Sequence, residues 1–286
     1  LKILYTLKRA SFFALCSYGF ACSDWQAEPA AIEKNTLPQQ TVLYENFDTG
    51  TALPNNWRAN KDAMASVSSE LAYSKPNAVK IQAKGGGYNR NFLIYDLRAS
   101  PQLETSLYGS FMLYVSDEGN KGGDFTLVQT LGKAKPESGA PINTAVAYRL
   151  RVDGRHEQLM ANYDTWPQNK TGEKWQTDCW KHPNGDGGLL ASAEYQLVAR
   201  QWRCIQWHFD NQNNQLKFWQ NGQELHDINV LQTGDGCIGN KQEGNWYGPQ
   251  KFEHLMVGIE QYHQSAQART IYIDDIRLDD KPVFCE

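Results

Sequence analysis

Along most of the chain apolar and polar residues alternate singly, the period of a strand with one buried face. The clearest case is 145–153, where Tyr148, Leu150 and Val152 fall on one face and Arg149 and Arg151 on the other. In 201–210, Ile205, Trp207 and Phe209 oppose Gln206 and His208. In 255–262, Glu260 and Tyr262 share a face. Further strands are expected at 42–48, 78–82, 92–96, 107–115, 124–130, 158–163, 215–219, 223–226 and 269–278. Asn221-Gly222, between two of them, is a hairpin turn signal. No amphipathic helix of useful length and no internal repeat interrupts this order. Gly85-Gly86-Gly87 precedes no helix pattern and is therefore no phosphate loop; it lets Tyr88 and Asn89 approach something closely. The stretches 164–200 and 234–248 read as loops, and a loop as long as the first is functional or stapled. Many short strands with turns between them predict an all-β fold. The expected architecture is a single jelly-roll sandwich, concanavalin-like, of two antiparallel sheets over 41–286.

The last strand carries two adjacent carboxylates, Asp274 and Asp275. Side chains alternate faces along a strand, so the two are expected to point opposite ways. At least one then points to the interior or to a loop junction, where it needs a hard cation or an arginine as partner.

The N-terminus adds a targeting segment. Lys2, Lys8 and Arg9 precede the short apolar run 10–22, the pattern of a secretory signal over 1–22. The run is too short for a comfortable transmembrane helix. Cys22 follows Gly19-Phe20-Ala21 in the manner of a lipoprotein cleavage site, although Gly19 stands where Leu is expected. A lipid anchor at Cys22 and plain secretion both stay open. Residues 23–40 lack periodicity and read as a flexible linker. Past the signal, Cys179, Cys204, Cys237 and Cys285 imply two disulfides with three possible pairings. No closely spaced Cys/His set supports zinc.

Composition narrows the partner. The chain of 286 residues is 41% apolar, enough for a full core, and holds nine Trp and 14 Tyr. Aromatic side chains pack strands, and on an exposed sheet face they stack on sugars. A net charge of −4 argues against nucleic acid as the main partner. It leaves room for an anionic polysaccharide, because a local basic site can sit on an acidic protein.

Arg149 with Arg151, Gln206 with His208, and Glu260 with Tyr262 each share one face of a strand. If the three strands are neighbours in one sheet, these six residues converge. Their chemistry then suits β-elimination from a uronic-acid polymer. That reaction needs donors that neutralise the sugar carboxylate, a base for the C5 proton and an acid for the leaving oxygen. Arg151 would neutralise, His208 and Tyr262 would move protons, and Arg149 and Gln206 would bind substrate. Glu260 is the one carboxylate placed among them, which makes two-carboxylate hydrolysis the weaker reading. No Ser/His/Asp arrangement with a nucleophile elbow is present. The plain alternative is a solvated sheet face with ordinary ion pairs, such as Arg151 with Glu260.

One order of segments is more specific. Trp202-Arg-Cys204-Ile-Gln-Trp-His208 is followed by Leu216-Lys-Phe-Trp-Gln-Asn-Gly222, Gly258-Ile-Glu260-Gln-Tyr262, Tyr272-Ile-Asp274-Asp275-Ile276 and Phe284-Cys285. This order resembles the cellulose-induced jelly-roll proteins secreted by cellulolytic fungi and their glucuronan lyase relatives, over roughly 42–286. The resemblance implies a structural calcium ion held by Asp48, Ser74, Asn77 and Asp274. The family has Glu where Asp48 stands and Gly-Ser where Lys75-Pro76 stand. Its cleft positions match Arg151, His208, Glu260 and Tyr262, with a family His where Arg149 stands. The resemblance also implies a Cys204–Cys285 disulfide, which leaves Cys179 to Cys237. The Trp-rich loop around Cys179 has no counterpart in the family.

Together these readings imply an extracellular polysaccharide-active protein. It is expected to act as a monomer, by β-elimination on a uronic-acid-containing glycan, in an oxidising compartment. It would be freely secreted or anchored at the cell surface or outer membrane. The alternative is a non-catalytic carbohydrate-binding surface lipoprotein, and a third reading is a structural envelope lipoprotein with no sugar ligand.

Overall fold

The computed structural model describes residues 41–60, 63–116, 122–168, 175–184, 190–234, 237 and 244–285. The described residues belong to one compact unit, Gln40–Glu286. The expected signal segment, Cys22 and the linker lie outside the described residues.

Its strands, in chain order, are β1 (Leu43–Glu45), β2 (Trp57–Ala59), β3 (Met64–Ser68), β4 (Ala78–Ala83), β5 (Asn89–Asp96) and β6 (Ser106–Val115). Then come β7 (Phe125–Lys133), β8 (Ala145–Asp153), β9 (Gln158–Trp166), β10 (Cys179–Lys181), β11 (Trp202–Asp210) and β12 (Gln215–Gln220). The last are β13 (Gln223–Glu224), β14 (Val230–Leu231), β15 (Thr233–Gly234), β16 (Gly244–Asn245), β17 (His254–Gln261) and β18 (Arg269–Asp279). They form two antiparallel sheets. The first runs β16-β15-β14-β12-β11-β6-β18-β4-β3, with β1 on β18 and β13 on β12. The second runs β10-β9-β8-β7-β17-β5-β2. This is the expected jelly-roll sandwich.

The alternation seen in the sequence decides what lies between the sheets. Tyr148, Leu150 and Val152 of β8 face Ile205, Trp207 and Phe209 of β11, with Ile271, Ile273, Ile276 and Leu278 of β18 in the same core. Gly109 of β6 pairs with Trp207, and a Cβ there would fall 2.1 Å from the indole. The tight approach leaves room for no side chain.

Some local structure departs from expectation. The stretch 164–200 includes the end of β9, the strand β10 and a short 3-10 turn at Ala193–Tyr195. The stretch 234–248 includes β16, and β2 and β3 carry too few apolar residues to announce themselves. Asn221 and Gly222 both take positive φ, 51° and 78°, as a two-residue hairpin turn requires. Asp274 and Asp275 do not point opposite ways. The register of β18 on β6 shifts between Asp274 and Arg277, and Asp275 sits at φ 49°. This bulge turns both carboxylates toward one junction: Asp274 accepts from the Tyr73 and Ser74 amides, and Asp275 from the Ser74 hydroxyl.

Both implied disulfides are present. Cys204 of β11 is joined to Cys285, and Cys179 of β10 to Cys237. Two such bonds fit an oxidising, extracellular compartment.

Candidate functional site

The outer face of the second sheet holds the charged residues. Arg149 and Arg151 stand there on β8, with Glu260 on β17 and Tyr262 just beyond it. A bulge in β7 helps to place them. Leu127 and Val128 both turn into the core, which leaves Thr126 opposite Arg151 and Gln129 opposite Arg149. On its other side Thr126 pairs with Glu260, so Arg151, Thr126 and Glu260 form one row across three strands.

Each arginine is held by neighbours. Arg149, 4% exposed, donates to Gln129 Oε1 at 2.9 Å, Asn162 Oδ1 at 3.2 Å and Asp164 Oδ2 at 3.0 Å. It also lies 3.6 Å from Glu260 and 4.6 Å from the Trp166 ring centre. Arg151, 3% exposed, meets Asp124 at 3.3 Å and Asp178 at 3.7 Å, and lies 5.0 Å from the Tyr262 ring centre. Glu260 accepts from Tyr88 Oη at 3.0 Å and pairs with Arg90 at 3.4 Å. Burial pulls the Arg151 guanidinium below its ordinary value, against the two aspartates. Burial pushes the Asp164 carboxyl up, against Arg149. The Tyr88 phenol is raised by burial and then by the Glu260 charge. Among the described residues Arg151 Nε and Thr126 Oγ1 are buried and have no hydrogen-bond partner.

Above these groups opens a cleft of about 300 Å³ walled by Tyr88, Trp166, Asp178 and Tyr262. It continues past Arg90, Leu131 and Ala145 in a second hollow that shares Tyr88, Trp166 and Glu260. Asp164, Trp166 and Asp178 come from the Trp-rich stretch 164–200, expected as a loop. Strand β10, on the sheet edge beside β9, helps hold it. The Gly85-Gly86-Gly87 signal did point at Tyr88; nothing in strand periodicity pointed at Asp164 or Asp178.

Gln206 and His208 are not in this cleft. Strand β11 pairs with β6 and β12 in the first sheet. Its inner residues face the shared core, so Gln206 and His208 face outward on the opposite side of the sandwich. His208 stacks on Tyr108 at 3.8 Å and contacts the Ser106 hydroxyl at 3.0 Å. Burial pulls its pKa down to about 4. The expectation that all six polar residues converge is therefore corrected to four. Period two tells which residues share a strand face, and it is silent on which sheet takes the strand.

The residues expected to hold calcium occupy one junction. Asp48 Oδ1 accepts from the Asn77 amide at 3.0 Å, and the Asn77 side chain donates to the carbonyls of Phe47 and Gly50. Asp274 Oδ2 accepts from the Tyr73 and Ser74 amides at 2.9 and 3.0 Å. Burial, with the Asp275 charge second, pushes the Asp274 carboxyl up to about 7. Carboxylate, amide, hydroxyl and carbonyl oxygens fit a hard cation in donor chemistry. Among the described residues no group of three His, Cys, Asp or Glu side chains gathers as a metal site, so such an ion would draw on Asn77, Ser74 and carbonyl oxygens as well.

Fold and site together define an antiparallel β-jelly roll with an arginine- and aromatic-lined cleft on one sheet. Two solved structures share the fold. Cellulose-induced protein Cip1 superposes with a TM-score of 0.57 at 17% identity, over 85% of this chain and 100% of that one. Endo-β-1,4-glucuronan lyase from the fungus Trichoderma reesei gives 0.50 at 12% identity, over 84% and 95%. No protein-family model and no curated protein sequence matches the chain.

Proposed function

We propose that the cleft is a polysaccharide site and that it cleaves a uronic-acid-containing glycan by β-elimination. The observation that carries this is Arg151, buried at the base of an open cleft with Nε unpartnered beside the unpartnered Thr126 hydroxyl. A buried donor left unpaired is costly, and a ligand oxygen completes it. The endo-β-1,4-glucuronan lyase that shares the fold supports the substrate class.

In the reaction a base takes the C5 proton and the C–H electron pair becomes the C4–C5 double bond. The C4–O bond breaks, and the leaving oxygen takes a proton. Arg151 and Thr126 donate to the sugar carboxylate, onto which charge spreads as C5 loses its proton. Tyr262, beside Arg151, is the base: as the phenolate it takes the C5 proton and ends as the phenol. Tyr88 is 66% exposed, but its hydroxyl is partly desolvated and faces the Glu260 charge, which keep its proton on; turned from Glu260, that proton goes to the leaving oxygen. Glu260 orients Tyr88 and is itself fixed by Arg90 and Arg149.

The test is incubation with a panel of uronic-acid polymers while following absorbance of the unsaturated product. Tyr262→Phe should lower turnover about 100- to 10,000-fold with polymer binding retained. A protein that cleaves none of them but loses binding in Arg151→Ala is the non-catalytic glycan-binding protein instead. One observation favours that second reading: Arg90, Arg149 and Arg151 already face Glu260, Asp164, Asp124 and Asp178, which leaves no surplus positive charge for an acidic sugar.

We also propose that Asp48, Ser74, Asn77 and Asp274 hold a structural calcium ion where the first strand, the turn before β4 and the last strand meet. It would take no part in the chemistry, because these strands lie in the other sheet.

A further inference from the structure

A second hollow lies on the outer face of the first sheet, across the sandwich from the cleft. Trp219 and Lys217 alternate on β12 and pair with Gln206 and His208 of β11, so all four face outward. The segment 281–285 crosses above them. It is fixed by the Gln206 amide, which donates to the Val283 carbonyl at 2.8 Å, and by the Cys204–Cys285 disulfide. Between these two anchors Phe284 is held 65% exposed. Tyr108, stacked face to face on His208, forms another wall. The hollow holds about 290 Å³, at the lower end of the range of about 300–1,000 Å³ usual for small-ligand sites.

Two features say what would fill it. Trp219 and Phe284 lie outside the core and line a hollow that also presents Gln206 and Lys217. Flat apolar faces beside polar donors complement a sugar ring, which has an apolar C–H face and a polar rim. Lys217 is the one charged residue of the lining, and among the described residues no carboxylate pairs with it. His208 next to it is neutral at physiological pH, since burial brings its pKa to about 4. The lining therefore carries one positive charge that no carboxylate pairs with, Asp210 acting on the same face from beside His208 and Tyr108, unlike the cleft, where every arginine faces a carboxylate.

We propose that this hollow is a second glycan-binding site that takes a hexuronate residue, its ring packed on Trp219 and Phe284 and its carboxylate at Lys217. The choice of a glycan rests on the reading of the cleft given above; the acidic substituent rests on Lys217 alone. A polymer long enough to reach both faces would gain avidity from the pair of sites.

The experiment is calorimetric titration of the whole chain with a tetrameric oligoglucuronate, and with a neutral β-1,4-linked glucose tetramer as comparison. The proposal expects two sites for the acidic oligomer. Arg151→Ala should remove one, while Lys217→Gln weakens the other at least tenfold and Trp219→Ala abolishes it. Thermal melting of each variant separates loss of the site from loss of the fold. A single site that Arg151→Ala removes and Lys217→Gln leaves untouched overturns the proposal and leaves the cleft standing. A single site that ignores Arg151→Ala and disappears with Trp219→Ala sustains it and sinks the cleft reading instead. Absence of any binding of the acidic oligomer, or equal affinity for the neutral one at this hollow, overturns it as well.

Discussion

His208 sits in the fold as a neutral ring, stacked on Tyr108 with its pKa brought from 6.5 to about 4 by burial. Asp210 pulls the value up and Lys217 pulls it down, and burial outweighs both. Because the folded value lies below the unfolded one, the unfolded chain binds more protons between the two. The stabilisation is complete above about pH 6.5 and is lost as pH falls toward 4, by at most about 3 kcal/mol. Urea midpoints measured from pH 7 to pH 4.5 should fall more steeply for the wild type than for His208→Gln. Parallel slopes would show that the ring does not titrate as its surroundings dictate. The same residue shows the limit of a one-dimensional reading: its polar neighbours along the strand were legible, and the sheet to which they belong was not.

Irregular strands position the cleft. Gly258, two residues before Glu260, has φ +148°, and a Cβ there would fall 2.3 Å from the Asn91 carbonyl oxygen. The register of β17 on β7 shifts just here, between Val257 and Glu260. Gly258→Ala should cost at least about 2 kcal/mol and disturb the Glu260–Tyr88 contact. Gly222→Ala, at positive φ with open space around it, should cost only about 1 kcal/mol. Comparing their melting curves checks this, and equal losses would show that crowding at Gly258 is relieved elsewhere. Strands with strong alternation, such as β8 and β11, could be read directly. The bulges at Leu127–Val128 and Asp275 could not, because an extra residue looks like any other until its partner strand is known. Asp164 and Asp178 were hidden for a related reason: they lie in and beside a stretch whose turns mask the short strand β10.

At the scale of the molecule, three segments distant in sequence meet at the Asp48, Ser74, Asn77 and Asp274 junction. If calcium joins them, added calcium should raise the melting temperature and a chelator should lower it, with both responses lost in Asp48→Ala. A wild type indifferent to chelator and calcium alike would remove the ion from the account. The same junction belongs to β18, which lies in the interior of its sheet, between β6 and β4. Neither neighbour can pair on that side before β18 exists, so a growing chain released as far as β17 carries a sheet split down the middle, with two open edges. Such contacts close the longest loops of the chain and form slowly. The half-sheets must therefore be kept from pairing with other molecules until residue 279 has emerged. A chain made in one compartment and folded in another meets that demand if it crosses the membrane unfolded and acquires the Cys204–Cys285 bond only afterwards.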